Sequence, residues 1–147
     1  MNSIRRHIFV VTARDIKRFA QSIGDNNPLY FDENYAKQTS FGSIIAPPLF
    51  CQCMTFEDVP LIELADDLSP AELKVDLPVT KTVGGESRYA LYRNIRPGDV
   101  INVSSQVKEI MRKQGKSGTL FLVSIHSRFV NQLGESVAEE LATYVQR

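Results

Sequence analysis

The sequence predicts an α+β domain in which one antiparallel sheet wraps around a central apolar helix. Three observations carry this expectation. The first half is punctuated like helices, with capped ends on one segment and a pair of prolines leading into another that is almost wholly apolar. The second half changes to strand-like segments of period two, separated by short turns, which makes neighbouring strands antiparallel. The chain has 147 residues, 43% of them hydrophobic. That is enough for one good core and too little for two ordinary domains, so residues 1–147 are expected to form a single domain.

Taken in order, His7 lies in a first strand-like segment. "TARDIKRFAQSIG" then reads as a helix. Thr12 and Asp15 have capping-box spacing, Ile16, Phe19, Ala20 and Ile23 recur at helical intervals, and Gly24 stands where a C-terminal glycine belongs. The helix delivers the chain into "GDNNP", after which Asp32 to Thr39 is expected to form a second, short helix. Pro47 and Pro48 precede "LFCQCMTFEDV", which is apolar on nearly every side and predicts a helix buried in the middle of the domain. A polar, proline-marked stretch runs from Pro60 to Pro78. Beyond it, "ESRYALYRNI", "DVINVSSQVKEIMRK", "GTLFLVSIHSRFV" and "ESVAEELATYVQR" read as strands, broken by "RPGD", "QGKSG" and "NQLGE". Phe121, Val123, Ile125 and Phe129 share one strand face and His126 takes the other. Four long strands with short connections imply an antiparallel meander, and such a sheet curled around one apolar helix is the hot-dog architecture.

Charge and cysteine usage narrow the function classes. Seventeen basic and seventeen acidic residues cancel without forming a long block, which argues against nucleic acid or an anionic membrane surface as partner. The apolar run His7 to Val11 is too short for a signal-peptide core, and no run approaches the ~18 apolar residues of a membrane span. A cytoplasmic location is expected. Cys51 and Cys53, two apart on a helix, point to different faces, which suits neither a disulfide nor a chelate; both read as small buried residues. Neither a metal nor a redox cofactor is implied, since there is no ligand cluster and no dinucleotide loop.

"FAQSIGDNNPLYFDENYAKQTSFGSIIAPPLF", together with "VGGESRYALYRNIRPGDVI", resembles the MaoC-like hydratase/dehydratase family, in particular its branch similar to the dehydratase domain of type I fatty acid synthase. The resemblance covers most of the chain. It implies a hot-dog fold and the addition or removal of water at the double bond of a 2-enoyl thioester, carried by coenzyme A or acyl carrier protein. In catalytic members the motif reads Asp-x-Asn-Pro-x-His. The resemblance maps it onto Asp25, Asn27 and Pro28, and puts Tyr30 at the histidine position.

That departure matters chemically. Hydration needs groups that exchange protons near neutral pH, whereas a tyrosine of pKa about 10 stays protonated there and donates a hydrogen bond instead. A second departure concerns the donors for the thioester oxygen, which the resemblance places at the N-terminus of the central helix around a His-Gly pair. Pro47 and Pro48 occupy that place, and proline has no N–H, so only Leu49 and Phe50 remain.

Bland readings stand beside these. Asp25 and Asn27-Pro28 are also ordinary turn chemistry, and Tyr30 is also an ordinary packed aromatic. Gly85, Glu86 and Arg88, in the second block, are candidates for substrate contact along with Pro47, Pro48, Leu49 and Phe50. Arg88, Arg93, Arg96 and Lys81 have the charge to meet coenzyme A phosphates, or are simply solvated. His7 and His126 fall outside any motif.

The leading expectation is a lyase subunit: the substrate-shaping half of a 2-enoyl-thioester hydratase or (R)-3-hydroxyacyl dehydratase, paired with another hot-dog chain that has the intact Asp/His motif. A homo- or hetero-oligomer is expected accordingly. Two alternatives stay open, a stand-alone homodimeric hydratase or thioesterase using Asp25 or Glu86, and a non-catalytic acyl-thioester-binding protein.

Overall fold

The computed structural model describes residues 4–55, 75, 77–79, 81–116 and 118–147. The chain begins with β1 (Ile4–Val10) and enters α1 (Ala13–Ser22) through the expected capping box. The Thr12 side chain accepts from the Asp15 N–H, and the Asp15 carboxylate accepts from the Thr12 N–H, each at 3.1 Å. Two otherwise orphaned donors are satisfied within one turn. Ile16 and Ala20 form the buried stripe, and Gly24 leaves the helix at φ 70, a conformation glycine adopts without steric cost.

The next helix, α2 (Glu33–Lys37), is capped by the Asp32 carboxylate, which accepts from the N–H groups of Asn34 and Tyr35 at 2.8 and 3.0 Å. A 3₁₀ turn over Pro48–Phe50 then leads into α3 (Cys51–Met54). Phe50, Cys51 and Met54 are fully buried, while Leu49, Gln52 and Cys53 are exposed. The segment therefore buries one face, not nearly all of its surface, and the expectation that both cysteines are buried holds for Cys51 alone. Two positions on a helix differ by about 200°, so one cysteine inside puts the other outside. The remainder of the predicted helix, and most of the stretch from Pro60 to Pro78, lie outside the described residues.

The sheet contains β1, β2 (Thr82–Leu91), β3 (Val100–Gly115), β4 (Gly118–Val130) and β5 (Ser136–Gln146), all neighbours antiparallel, in the order β1-β3-β4-β5-β2. Only β3, β4 and β5 form a meander. β2 does not pair with β3 but lies at the far edge beside β5, with Leu91 opposite Ala138. It also ends at Leu91, so the predicted strand through Ile95 is too long at that end. The segment from Tyr92 to Asp99 crosses the end of the sheet instead. Three strand spacings come to roughly 14 Å, well within the reach of that linker, so a crossover is as feasible as a hairpin.

The concave face of the sheet wraps the helices. On β4, Val123, Ser127 and Phe129 point inward and are buried, with Phe121 and Ile125 on the same side and partly buried. Phe50 sits at the centre of the core, edge-on to Phe9 and Phe19 at ring-centroid distances of 6.2 and 5.6 Å. An antiparallel sheet around a helix is the hot-dog arrangement. Among the described residues, no helix is long and apolar enough to cross a membrane.

Candidate active site

Asp25 and Asn27 of the Asp-x-Asn-Pro segment each have a local task. The Asp25 N–H donates to the Ala20 carbonyl at 3.0 Å, and its carboxylate accepts from the Asn27 N–H at 3.0 Å. The Asn27 side-chain oxygen in turn accepts from the Leu29 N–H at 3.0 Å and caps the 3₁₀ turn Pro28–Tyr30. These Asx turns follow from short side chains that reach backbone two residues on. They point Tyr30 inward, where it is 7% exposed. Burial, and then the charge of Asp25, push its hydroxyl pKa above the ordinary value of 10.0. At neutral pH Tyr30 is thus a neutral O–H group beside a carboxylate, fit to donate a hydrogen bond and unfit as a base.

Across from it, Pro47 is extended (φ −55, ψ 152), and its carbonyl accepts the Phe50 N–H at 2.9 Å. That contact occupies the Phe50 N–H, one of the two backbone groups, with that of Leu49, that follow the prolines. The turn is docked by the Ala46 N–H, which donates to the Ile95 carbonyl at 2.8 Å. Arg96 clamps the same region: its guanidinium donates to the Phe41 carbonyl at 2.8 Å and to the Ser43 hydroxyl.

Together these contacts border a half-open cavity of about 530 Å³. Asn27, Tyr30, Pro47 and Pro48 line it, so the two halves of the quoted motif do converge. Asp25 is not on its wall. Phe50 is sealed in the core, and Leu49 is 45% exposed and also off the wall. Gly85, Glu86 and Arg88 are elsewhere on β2. Gly85 forms a bulge against Thr143, and Glu86 and Arg88 make an exposed ion pair at 2.6 Å. Of the candidate phosphate-binding cations, Arg93 reaches the cavity and pairs with Glu135 at 3.0 Å, while Arg96 is committed to Phe41 and Ser43. Lys81 pairs through its backbone with Arg147 at the far end of β2.

His7 donates from Nε2 to the Met54 carbonyl at 2.8 Å, and His126 meets Glu139 at 3.2 Å. Neither histidine lines the cavity. Apart from Arg93, sequence reasoning passed over the opposite wall, Leu91 to Ile95 with Val137 and Ala138. Its signal was available, since Leu91 to Ile95 is part of the second quoted block, but a strand through Ile95 hid the change of direction. Among the described residues, no group of three or more His, Cys, Asp or Glu side chains is arranged to hold a metal ion.

Residues 3–140 match the family described as the FAS1-like dehydratase domain region. The chain belongs to this family. It is thereby a MaoC-like hot-dog chain, as the motif implied. A UPF0336 protein of Parafrankia sp. is 32% identical over 139 residues, which cover 95% of this chain and 85% of that protein. The 3-oxo-4,17-pregnadiene-20-carboxyl-CoA hydratase alpha subunit of Mycobacterium tuberculosis is 29% identical over 128 residues, covering 84% of this chain and 40% of the longer relative. Among solved structures, the ChsH1-ChsH2 complex from Mycobacterium tuberculosis superposes with a TM-score of 0.77 at 21% identity, over 99% of this chain and 83% of that one. At that identity the likeness speaks for the fold.

Proposed function

We propose that this chain is the substrate-shaping half of a 2-enoyl-thioester hydratase or (R)-3-hydroxyacyl dehydratase, and that it assembles with a second hot-dog chain whose intact Asp/His motif carries the proton transfers. One observation carries the reading. Asn27, Tyr30, Pro47 and Pro48 converge on one cavity and Asp25 does not line it, so where the motif would put a histidine there is the neutral hydroxyl of Tyr30, and where it would put backbone donors there are Pro47 and Pro48, which lack an N–H. The cavity is built for an acyl group without the groups that would turn it over.

In this reading the apolar walls take the acyl chain and exclude water, while Tyr30 and Asn27 supply polar contacts to the thioester. The partner's aspartate and histidine activate water and exchange the proton at the alpha carbon of the thioester. Such acid–base chemistry calls for no metal or redox cofactor. Support comes from the dehydratase family match and from the name of the Mycobacterium tuberculosis relative, which is an alpha subunit of a hydratase.

The test compares crotonyl-CoA hydration by the purified chain with that of the chain co-expressed with an intact-motif hot-dog partner. No turnover is expected from the chain alone, and the activity of the pair should survive Asp25→Asn in this chain. Hydration by the isolated chain at ordinary enzymatic rates, abolished by Asp25→Asn, would show instead that Asp25 and Tyr30 form a working site of their own.

A further inference from the structure

Directly behind the cavity, the inner face of the sheet changes from apolar to polar. Leu91 and Ala138, which line the cavity, lie opposite each other on β2 and β5. The next inward-facing pair on the same strands is Tyr89 and Glu140, two residues along and therefore roughly 7 Å deeper. From Glu140 the row runs on through Ser127 and Ser105 to Arg5, each directly opposite the next, so polar residues cross all five strands at one level. Glu140 is 5% exposed, and Ser127 and Ser105 are more deeply buried still.

This level is held together by its own hydrogen bonds. The Tyr89 hydroxyl donates to Glu140 Oε1 at 2.6 Å, and the Thr55 hydroxyl, just past α3, donates to Oε2 at 3.2 Å. The hydroxyls of Ser105 and Ser127 are 2.8 Å apart. The cluster therefore joins the edge strand β2, the strand β5 and the residue after α3, while Pro47 and Pro48 precede α3 at the cavity.

We propose that Tyr89, Glu140 and Thr55 form the inner stop of the cavity and restrict it to thioesters with short acyl chains, ending near Leu91 and Ala138. This rests on the acyl-thioester reading of the cavity. A longer chain passing between helix and sheet has to displace the Tyr89 ring and lay methylenes against a buried carboxylate. The carboxylate then loses a donor with no water to replace it. Apolar walls yield to an extra methylene by small repacking; a closed network around a charge does not.

The test is calorimetric binding of butyryl-, octanoyl- and lauroyl-CoA to the purified chain. The wild type is expected to bind lauroyl-CoA more weakly than butyryl-CoA. Tyr89→Ala removes the ring while leaving Glu140 its bond from Thr55, and should improve lauroyl-CoA relative to butyryl-CoA by about tenfold or more. Tyr89→Leu preserves apolar packing and should give the same shift if the alanine variant fails to fold, whereas Tyr89→Phe keeps the ring but deletes the bond to Glu140, and should relax the preference by less than the alanine variant. Lauroyl-CoA bound as tightly as butyryl-CoA by the wild type, or an unchanged preference in a folded Ala or Leu variant, overturns the stop but leaves the acyl reading standing. Absence of binding by any of the three thioesters overturns the acyl reading, and the stop with it.

Discussion

Truncating Phe50 to alanine tests whether the turn after Pro47 and Pro48 is anchored in the core. Phe50 is 0% exposed, and its ring packs edge-on against Phe9 from β1 and Phe19 from α1. A buried Phe→Ala change costs about 3–5 kcal/mol through lost transfer energy and the cavity left behind. Two edge-to-face contacts, each worth about 0.5–1.5 kcal/mol beyond area burial, place this site near the upper end of that range. For a chain of this size the loss corresponds to a fall of about 10–20 °C in Tm. Urea denaturation and scanning calorimetry measure it, with Leu49→Ala as the neighbouring control. Leu49 is 45% exposed, so its truncation should cost no more than about 0.5 kcal/mol. If Phe50→Ala costs less than about 1 kcal/mol, or if the two variants cannot be told apart, Phe50 does not anchor the helix and the cavity wall built on Pro47 and Pro48 loses its support.

Restoring the motif histidine should not restore chemistry. Tyr30→His leaves Pro47 and Pro48 in place, and one missing oxyanion donor typically costs about 10²–10³ in turnover; brisk crotonyl-CoA hydration by the purified variant would refute this. Alkaline pH should weaken the fold through Cys51, whose thiol is pushed from 9.0 up to about 11 by burial and by the charge of Glu140. A raised folded-state value means that its contribution is complete below pH 9 and lost as pH rises through about 11. Over that window the wild type should lose stability more steeply than Cys51→Ala in denaturation series, and equal slopes would contradict the assignment. Finally, a Cβ at Gly85 would lie 2.7 Å from the Thr143 carbonyl oxygen, while one at Gly84 meets nothing within 4 Å. Gly85→Ala is expected to cost about 1–3 kcal/mol and Gly84→Ala much less. Indistinguishable melting curves for the two variants would remove the basis for the bulge.

The amino-acid sequence by itself determined the features that depend on neighbours a few residues apart. The capping box of Thr12 and Asp15 and the left-handed exit at Gly24 each join groups within one turn, so their chemistry is legible in the order of residues. Period-two alternation and turn residues likewise marked β3, β4 and β5, and the motif named Asp25, Asn27, Tyr30, Pro47 and Pro48 before any of them had a position. What required the tertiary structure was pairing between segments far apart in the chain. Nothing local distinguishes β2 beside β3 from β2 beside β5, because strand pairing is decided by which inward faces meet, here Leu91 opposite Ala138 and Tyr89 opposite Glu140. The same holds for the cavity wall from Leu91 to Ile95, which exists only because the chain leaves the sheet there. Ser105, Ser127 and Glu140 read as unremarkable polar residues in sequence. Stacked at one level beneath the central helix, they become a buried network, since a polar group removed from water stays there only when other polar groups meet it.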